Sequence, residues 1–358
     1  MNANLSKIGI VVIGRNEGER LRRCLLSVVD SSQKVIYVDS GSTDGSVEFA
    51  RSLSVEIVDL DMSHPFTMAR GRNAGFVRLM ELSPDIEFVQ FFDGDCEVVP
   101  GYLEGALAEM SRTPEAVVVT GRRMERFPQA SIYNRLCDLE WGRGIGEIES
   151  CGGDMLVRAK AFAAAGMFNP NMIAGEEPEL CVRLRLQGGK ILRIDQDMTL
   201  HDAAMFRFSQ WWKRAKRAGH AYAEGAFLQG SSPFRHNVRQ VRSALFWGGG
   251  VPAVAAMGAI ATVWQPWAGI IVLMSCLAFA VLSFRIFQRA RQRGWDSSDS
   301  RLYAISCALS KIPCCLGVIQ FCFNRLRGKQ SLLIEYKQSQ PNRSNVASLQ
   351  TFPTSRPE

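Results

Sequence analysis

The chain has 358 residues, a formal net charge of +7 and a hydrophobic content of 47 %. That length provides one large domain and an appendage, and far more chain than a core requires. The positive charge is concentrated after residue 200, beside apolar stretches, which favours a membrane surface over nucleic acid as the anionic partner. The ten cysteines are scattered without paired zinc-type spacings, so we interpret them as reduced cytosolic thiols.

The N-terminal stretch has a short apolar run that is followed by Arg15, Asn16 and Glu17, without a small-residue cleavage site. It is therefore not expected to act as a secretory signal. The region that follows is predicted to stay in the cytoplasm.

Strands and helices alternate along the first hundred residues. Continuous apolar runs predict buried strands, and segments with apolar residues spaced at three and four positions predict helices. The predicted strands are 8–13, 34–38, 55–58 and 87–92, and the predicted helices follow residue 18 and cover 46–53 and 68–82. This alternation indicates an α/β sheet that is mostly parallel.

Polar residues follow three of these strands where each one ends. Asn16 and Glu17 follow the first strand, and Asp39 follows the second. Asp93 and Asp95 follow the fourth. Such sheets bind ligands beyond the carboxyl ends of their strands, so we expect these residues to converge at one edge.

Past residue 100 the pattern predicts a strand at 116–121, a helix at about 131–141 and a strand at 190–194. A glycine-containing stretch, Cys151-Gly-Gly-Asp154, and an acidic cluster, Glu176-Glu177, lie between the last two.

The character of the chain changes after residue 243. Two nearly uncharged stretches, at about 244–264 and 267–284, are each about long enough to cross a hydrocarbon core of roughly 30 Å. The short connection predicts a helical hairpin through the bilayer, and the basic flanks predict that both ends are cytoplasmic. A buried hairpin in a soluble core is the alternative.

Three further segments lie outside the predicted sheet and the predicted hairpin. The apolar stretch 302–323 is interrupted by Lys311 and Pro313, and it suits an interfacial or re-entrant helix as well as a span. The basic, aromatic segment 206–227 suits either a helix at the lipid headgroups or one packed on the preceding domain. The composition after residue 338 predicts a disordered tail.

The sequence Asp93-Gly94-Asp95 places two carboxylates one residue apart directly after a strand. Such a pair can share a divalent cation, and hard oxygen ligands favour Mg²⁺ or Mn²⁺. An acidic surface turn is the alternative, which the context of the motif must decide.

Five motifs occur in order along the chain: Asn16-Glu17 after the first strand, Asp39 before Ser-Gly-Ser-Thr-Asp-Gly, Arg72-Asn73, Asp93-Gly-Asp95, and Gly175-Glu-Glu-Pro-Glu-Leu. Over roughly residues 8–220 they resemble the family-2 inverting glycosyltransferases of the GT-A fold. The resemblance implies a Rossmann-like α/β nucleotide-binding domain followed by C-terminal transmembrane or interfacial helices. We expect a catalytic domain at 1–230, a membrane-anchoring region at 231–330 and the tail at 338–358.

The resemblance also implies which residues bind the nucleotide-sugar. Asp39 would recognise the nucleobase, and Arg72 and Asn73 would help to hold the nucleotide. Asn16 and Glu17 would belong to the same site. The alternatives are structural, because aspartates are common in turns and caps and Arg72 could pair with a surface carboxylate.

The metal site is implied in the same way. Asp93 would contact the ribose or a metal-bound water and could itself be a ligand, and Asp95 would ligate the Mg²⁺ or Mn²⁺ that neutralises the departing diphosphate. His201 would be a third ligand, although a structural or acceptor-contacting histidine is the alternative. Gly153 could line the sugar or acceptor pocket, or form a turn.

The catalytic base of the family normally lies in a Glu-Asp pair, and this chain has Glu176-Glu177 there. The aligned base is Glu177, which would take a proton from an acceptor hydroxyl, and Glu176 is the other candidate. The cluster could also be an acidic helix start, since Glu and Pro are favoured in a first turn.

The expected activity is transfer of a sugar from a nucleotide-sugar, expected to be UDP-linked, with inversion at the anomeric carbon. The expected acceptor is a polyprenyl-linked glycan of exopolysaccharide or envelope assembly, because a membrane-tethered site would meet lipid-linked acceptors efficiently. Membrane lipids are the other expected partner, and nucleic acid is not. The expected location is the cytoplasmic (inner) membrane, with the catalytic domain facing the cytoplasm.

Three other functions are considered. A polyprenyl-phosphate glycosyl synthase would use the lipid phosphate as acceptor and need no strong base. A nucleotidyltransferase would begin with a glycine-rich phosphate loop followed by Arg, which Gly14-Arg-Asn-Glu-Gly does not supply. A non-enzymatic membrane-binding module is the alternative of another class.

Overall fold

The computed structural model describes residues 5–29, 34–141, 144–329, 331–332 and 334, and the predicted tail at 338–358 lies outside the described residues. The strands in the described part are Ile8–Gly14 (β1), Lys34–Asp39 (β2), Glu56–Asp59 (β3), Phe88–Asp93 (β4), Cys96–Val98 (β5), Ala116–Glu125 (β6), Gly146–Glu147 (β7), Met155–Arg158 (β8) and Lys190–His201 (β9).

The helices of the described residues fall into two groups along the chain. Those in the first 230 residues are Glu19–Leu26 (α1), Ser46–Ser52 (α2), Met68–Leu82 (α3), Tyr102–Arg112 (α4), Ile132–Trp141 (α5), Ala159–Ala164 (α6), Glu176–Leu186 (α7) and Phe208–Gln229 (α8). Those that follow are Val238–Leu245 (α9), Val251–Ala261 (α10), Gly269–Gln292 (α11), Ser297–Leu309 (α12) and Lys311–Leu326 (α13).

The described strands form one sheet in the order β3-β2-β1-β4-β8-β6-β9-β5, with β7 paired to β9. The four strands from β3 to β4 are parallel, whereas β8 runs antiparallel to both β4 and β6. The expected α/β class is therefore confirmed, but the sheet is mixed, because the β6–β9 pair is parallel while β5, β7 and β8 pair antiparallel with their neighbours. The long strand β9 pairs with β6, β7 and β5 in turn, and so carries His201 toward the turn after β4.

The continuous apolar run of β1 is explained by burial on both faces of the sheet. Ile10 belongs to the cluster that packs under α1, and Val11 belongs to the cluster under α3. Gly75 of α3 allows the close approach on that side, since a Cβ there would lie 2.4 Å from Val11 Cγ1. A strand that is covered on both faces does not alternate between apolar and polar residues. This is why a continuous apolar run predicted the strand correctly.

Helix α8 packs along α13, and two glycines permit the contact. A Cβ at Gly219 would lie 2.0 Å from the Cys314 carbonyl oxygen, and one at Gly317 would lie 2.0 Å from the Lys216 carbonyl oxygen. The helix predicted within 206–227 is thus present, and it packs against a helix of the predicted membrane-anchoring region.

Among the described residues three helical stretches are long and apolar enough to cross a membrane: Val238–Ala261, Pro266–Gln292 and Ser297–Leu326. Of the most apolar part of each, 11 %, 6 % and 39 % is buried within the protein, in that order. Few residues of the two predicted hairpin helices are thus buried within the protein, while the third stretch is partly covered. A π-helical turn, Phe246–Gly250, lies within the first.

Candidate active site

The predicted site residues lie at the carboxyl ends of neighbouring parallel strands. Strand β1 lies between β2 and β4, and its register pairs Gly14 with Asp39 on one side and Ile13 with Asp93 on the other. Asp39 and Asp93 therefore end their strands roughly 10 Å apart, which is two strand spacings.

Asp39 organises the loop after β2. Its Oδ2 accepts hydrogen bonds from the backbone N–H groups of Gly41 and Ser42 at 2.9 and 2.8 Å, and its Oδ1 accepts one from the Tyr37 hydroxyl at 2.8 Å. Burial, followed by the charge of Asp39, raises the pKa of Tyr37, so this hydroxyl remains a donor. The turn role considered for Asp39 is thus present, and a carboxylate oxygen can still accept a further bond from a ligand.

Asn16 connects the loops after β1 and β2. Its backbone is left-handed, with φ of 54°, a conformation that Asn tolerates better than most residues. Its N–H donates to Ser42 Oγ at 2.9 Å, and its Oδ1 accepts from the Thr43 N–H at 2.8 Å. Glu17 lies beside it and pairs with Arg20 of α1 at 2.8 Å.

A buried arginine joins two predicted acidic residues. Arg72 of α3 is 1 % exposed, and it donates from Nη1 to Glu176 Oε1 at 2.7 Å and from Nη2 to Asp93 Oδ1 at 2.6 Å. Gly153 provides the space, since a Cβ there would lie 2.3 Å from Arg72 Nη2. These residues, separated along the chain, form a single cluster in which Glu176 is an ion-pair partner.

The charges of the cluster stabilise one another. Burial by itself would raise the pKa of Asp93, but the Arg72 guanidinium, followed by Arg123, holds that pKa well below its ordinary range. Burial would lower the pKa of Arg72, yet Asp93 and then Glu176 keep that pKa above its usual value. Asp93 and Arg72 therefore stay charged throughout the physiological range.

Asp95 and His201 face each other at the end of the sheet. Asp95 directly precedes β5 and His201 ends β9, and Asp95 Oδ2 lies 3.3 Å from His201 Nε2. The β5–β9 pairing of Cys96 with His201 holds the two strands in register, and the Asp202 N–H donates to the Asp95 carbonyl at 3.1 Å. The Cys96 thiol lies beside them, with Sγ 3.6 Å from Asp95 Oδ1.

A third carboxylate lies behind the histidine. Glu125 Oε2 is 3.6 Å from His201 Nδ1, and Trp141 packs edge-on against the imidazole with ring centroids 4.5 Å apart. The backbone N–H groups of Phe127 and Ala203 donate to Glu125 at 3.2 and 3.1 Å. A carboxylate on this side of the ring favours the tautomer that directs the Nε2 lone pair toward Asp95. No sequence motif had indicated Glu125.

The groups around Asp95 fit a divalent cation. Asp95, Cys96 and His201 are close enough to share one ion. Asp95 and His201 supply an oxygen and a nitrogen ligand beside a single thiol, a set that suits Mn²⁺ or Mg²⁺ better than a site with two thiols would. Asp93, also predicted as a ligand, is directed instead to Arg72, and its Oδ2 lies 3.7 Å from Arg123 Nη2.

Asp154 and Arg123 are parts of the site with roles that the sequence did not indicate, since Asp154 was expected only within a stretch that could line the sugar or acceptor pocket or form a turn. Asp154 is fully buried, accepts from the Asp93 N–H at 3.0 Å and from the Thr199 hydroxyl at 3.2 Å, and lies 2.7 Å from Arg123 Nη2. It thus supports the backbone of the Asp93 turn. The Cys-Gly-Gly-Asp154 stretch was a signal for the aspartate, whereas Arg123 in the middle of a strand gave none.

Glu177, the first choice for the base, is 5 % exposed and is surrounded by two thiols. Its Oε1 accepts from the Cys151 N–H at 2.7 Å and lies 3.1 and 3.0 Å from the Sγ atoms of Cys151 and Cys181. Burial raises the pKa of Glu177 above its ordinary value. A carboxyl group with a raised pKa is a stronger proton acceptor once it is ionised, which suits a general base.

Asn73 is placed differently from the other predicted nucleotide-binding residues. Its Nδ2 donates to the Phe168 carbonyl at 2.8 Å and its Oδ1 accepts from the Phe168 N–H at 3.1 Å. Both ends of the amide are therefore used to fix the backbone after α6. Asn73 thus connects α3 to this backbone segment.

The chain is similar to known glycosyltransferases. Residues 9–156 match the family model described as glycosyl transferase family 2. Glycosyltransferase AglE of Haloferax volcanii is 28 % identical over 118 residues, which are 32 % of this chain and 38 % of that protein. A TPR repeat-containing protein of Synechococcus elongatus is 25 % identical over 139 residues, which are 39 % of this chain and 32 % of that protein. The alignment thus spans well under half of the length of these relatives.

The fold as a whole is also found in a solved structure. Mannosyltransferase PcManGT from Pyrobaculum calidifontis, in complex with GDP-Man and Mn²⁺, superposes with a TM-score of 0.56 over 89 % of this chain and 88 % of that chain, at 16 % identity. The superposition includes most of the C-terminal helices because it covers most of both chains. The expected GT-A-like fold is thereby confirmed.

Proposed function

Because the chain carries a glycosyl transferase family 2 domain, we propose that it is a metal-dependent inverting enzyme that moves a sugar from a nucleotide-sugar to a membrane-associated acceptor. The observation that carries the proposal is the 3.3 Å approach of Asp95 to His201 at the sheet edge that also carries Asp39. The buried Glu177 follows Glu176, which Arg72 connects to Asp93 at this edge. These residues would supply a nucleobase contact, a cation site and a base.

Asp39 would bind the nucleobase of the donor, which we expect to be UDP-linked. Its carboxylate is held rigidly by Gly41, Ser42 and Tyr37, so a donor N–H would meet an acceptor that is already oriented. PcManGT was solved with a GDP-linked sugar, and the choice between the two nucleotides is therefore part of the test.

Asp95 and His201 would hold Mg²⁺ or Mn²⁺, and the cation supplies positive charge beside the diphosphate as it leaves. Glu125 would keep the His201 ring in its binding orientation. Arg72 would keep Asp93 ionised and fixed at the end of β4, where it can accept a hydrogen bond from the ribose or a bound water.

Glu177 would accept the proton of the acceptor hydroxyl as this oxygen attacks the anomeric carbon. Cys151 and Cys181 fix the position of its Oε1. Glu176 is less suited to this step because Arg72 already binds its carboxylate at 2.7 Å. This difference in surroundings favours Glu177 as the base.

The acceptor is proposed to be a polyprenyl-linked glycan of exopolysaccharide or envelope assembly at the cytoplasmic membrane. Both flanks of the apolar hairpin are basic, which would keep both ends and the catalytic domain in the cytoplasm. The flanking arginines are Arg235, Arg239 and Arg242 before it and Arg285, Arg289, Arg291 and Arg293 after it. A lipid-linked acceptor diffusing in the membrane would then reach the site in two dimensions.

The third apolar stretch would lie along the membrane surface. Ile305, Leu309, Leu316, Ile319 and Phe323 are exposed and recur at the spacing of one helical face. The opposite side packs on α8, and Asp299 of α12 accepts from Arg135 Nε of α5 at 2.9 Å. A helix held by the catalytic domain on one side and apolar on the other suits the interface.

The test uses membranes that contain the full chain, a panel of radiolabelled nucleotide-sugars and Mn²⁺, followed by extraction of lipid products. We expect label in a lipid-linked glycan from one donor, and its loss in the Asp95→Ala variant. Label on a polyprenyl phosphate, unaffected by Glu177→Gln, would instead establish the phosphate-acceptor synthase. The absence of transfer from every donor, with parent and variant alike, would refute the proposal.

A further inference from the structure

Two cysteines, Cys151 and Cys181, form a compact cluster with the proposed base Glu177, and the proposed reaction uses neither thiol as a reacting group. Cys151 Sγ and Cys181 Sγ lie 3.9 Å apart, and Glu177 Oε1 lies 3.1 and 3.0 Å from them. The three potential ligand atoms are thus mutual neighbours. Cys96 belongs instead to the Asp95 site, where its Sγ lies 3.6 Å from Asp95 Oδ1.

The backbone fixes the three groups independently. Cys181 follows Glu177 by four residues on α7, so both side chains lie on one helix face. Cys151 lies in the loop before β8, and its N–H donates to Glu177 at 2.7 Å. Cys181 is buried while Cys151 is partly exposed, so the cluster is reached from the Cys151 side.

The spacing matches that of a tetrahedral zinc site. Zn²⁺ binds thiolate at about 2.3 Å and carboxylate oxygen at about 2.0–2.2 Å. Tetrahedral angles then require two sulfurs about 3.8 Å apart and sulfur–oxygen separations of about 3.5 Å. The observed sulfur–sulfur distance of 3.9 Å agrees with the first requirement. The sulfur–oxygen distances of 3.1 and 3.0 Å would meet the second requirement if each lengthened by a few tenths of an ångström.

We infer that Cys151, Glu177 and Cys181 form a site for a thiophilic divalent cation of the Zn²⁺ class, with the fourth position open to water beside Cys151. Binding releases both thiol protons and places two thiolates and one carboxylate on the metal. It is distinct from the Asp95–His201 site, whose ligands suit harder ions.

Occupancy would inhibit the enzyme. The cation would take the Glu177 oxygen lone pair that otherwise accepts a proton, and would fix the Cys151-Gly152-Gly153 loop beside Arg72. This consequence rests on the proposed function, because it treats Glu177 as the base. The binding of the cation does not rest on it.

The binding test uses Cd²⁺ as the probe, because its thiolate complexes give a charge-transfer absorption in the ultraviolet. The full chain in detergent, with its cysteines reduced and excess Mg²⁺ present, is titrated with Cd²⁺. We expect one equivalent to produce the absorption in the parent, and its loss in Cys151→Ser and in Cys181→Ser. Cys137→Ser, a buried cysteine outside the site, and Cys96→Ser should keep it.

Three results would overturn the inference. One is a parent that gives no thiolate absorption on titration. Another is an absorption that persists in both Cys151→Ser and Cys181→Ser while each variant melts at the temperature of the parent. Loss in Cys96→Ser alone would also overturn it, because it would assign the sulfur ligand to the Asp95 site.

The activity test is separate. With Mn²⁺ saturating, added Zn²⁺ should inhibit sugar transfer, and Cys181→Ser should raise the half-inhibitory concentration by at least about 10-fold. Equal inhibition of parent and variant would refute the inhibitory role. If Cd²⁺ binds as expected but no donor is ever transferred, the proposed function fails and the cation site stands.

Discussion

Gly153 lies so close to Arg72 that a Cβ at the glycine would come within 2.3 Å of Nη2 and 3.1 Å of Cζ. The guanidinium cannot move aside without breaking its bonds to Asp93 and Glu176. The smallest side chain is therefore a requirement of the ion-pair cluster.

Gly153→Ala is accordingly expected to displace Arg72 and misalign Asp93. The loss in kcat should be on the order of 100-fold, because displacements of about 1 Å at a reacting centre have such effects. The matched control is Gly144→Ala, since a Cβ at Gly144 meets nothing within 4 Å. Steady-state kinetics with unchanged activity in Gly153→Ala would show that Arg72 can be accommodated elsewhere.

Asp95→Asn should weaken the cation site. The amide has no charge and offers one oxygen, so we expect kcat to fall by about 100- to 1000-fold at fixed Mn²⁺, with partial recovery as Mn²⁺ is raised. Glu97→Gln is the control, because Glu97 lies two residues away but pairs with Arg126. Mn²⁺ titrations of sugar transfer compare the two. An identical Mn²⁺ dependence in Asp95→Asn and the parent would exclude Asp95 as a ligand.

The pH dependence of the reaction should reveal the base. Burial raises the pKa of Glu177 above the ordinary glutamate value of about 4.3, so kcat should decline as the pH falls through that raised pKa. Glu177→Gln should lower kcat by about 100- to 10,000-fold and remove this acidic limb.

The matched variant is Glu176→Gln, which should retain the acidic limb of the pH profile of kcat because it leaves Glu177 in place. Its activity should fall through loss of the bond to Arg72. A limb that disappears in Glu176→Gln and persists in Glu177→Gln would reverse the assignment.

Glu224 of α8 should make stability depend on pH. Burial, followed by the charge of Glu176, raises its pKa to about 7. The folded protein therefore holds this proton more tightly than the unfolded chain, whose glutamate pKa is about 4.3. The free energy of unfolding therefore falls as the pH rises from about 4.3 through about 7, because the unfolded chain loses the proton first.

Glu224→Gln removes this ionisation. Relative to the parent, the variant should gain on the order of 3 kcal/mol at a pH above about 8, and little at a pH near 4. Thermal unfolding of both proteins at the two pH values measures the difference. Glu115→Gln, at an exposed position, is the control and should leave the free energy of unfolding unchanged at both pH values. A gain of equal size at both pH values would contradict the raised pKa.

Gly317→Val should separate α13 from α8. Its Cβ would lie 2.0 Å from the Lys216 carbonyl oxygen and 2.7 Å from the His220 nitrogen, and backbone atoms of a helix cannot yield. We expect a loss of about 3 kcal/mol or more, and faster proteolysis after α8. Gly269→Val, where the nearest atom would be Thr262 Cγ2 at 3.8 Å, is the control. Equal melting temperatures and digestion rates for both variants would disprove the tight contact.

The sequence alone determined the family resemblance and most elements of the first hundred residues, whereas β7 and β8 were not predicted and β9 extends beyond its predicted end to His201. The helix predicted at 68–82 has those bounds in the structure, and the strands ending near Asp39 and Asp93 were located to within one residue. Continuous apolar runs reveal strands that are buried on both faces, because no polar residue is tolerated there. Polar residues directly after such runs then mark the ligand-binding edge.

The tertiary structure decided what each polar residue contacts. Arg72 reaches Asp93 and Glu176 across 21 and 104 residues of chain, and no local pattern encodes such a pairing. The same holds for Glu125 behind His201 and for Cys151 against Cys181. Side-chain partners depend on how strands and helices are packed, so chemistry that rests on distances of 3–4 Å emerges when the sheet has formed.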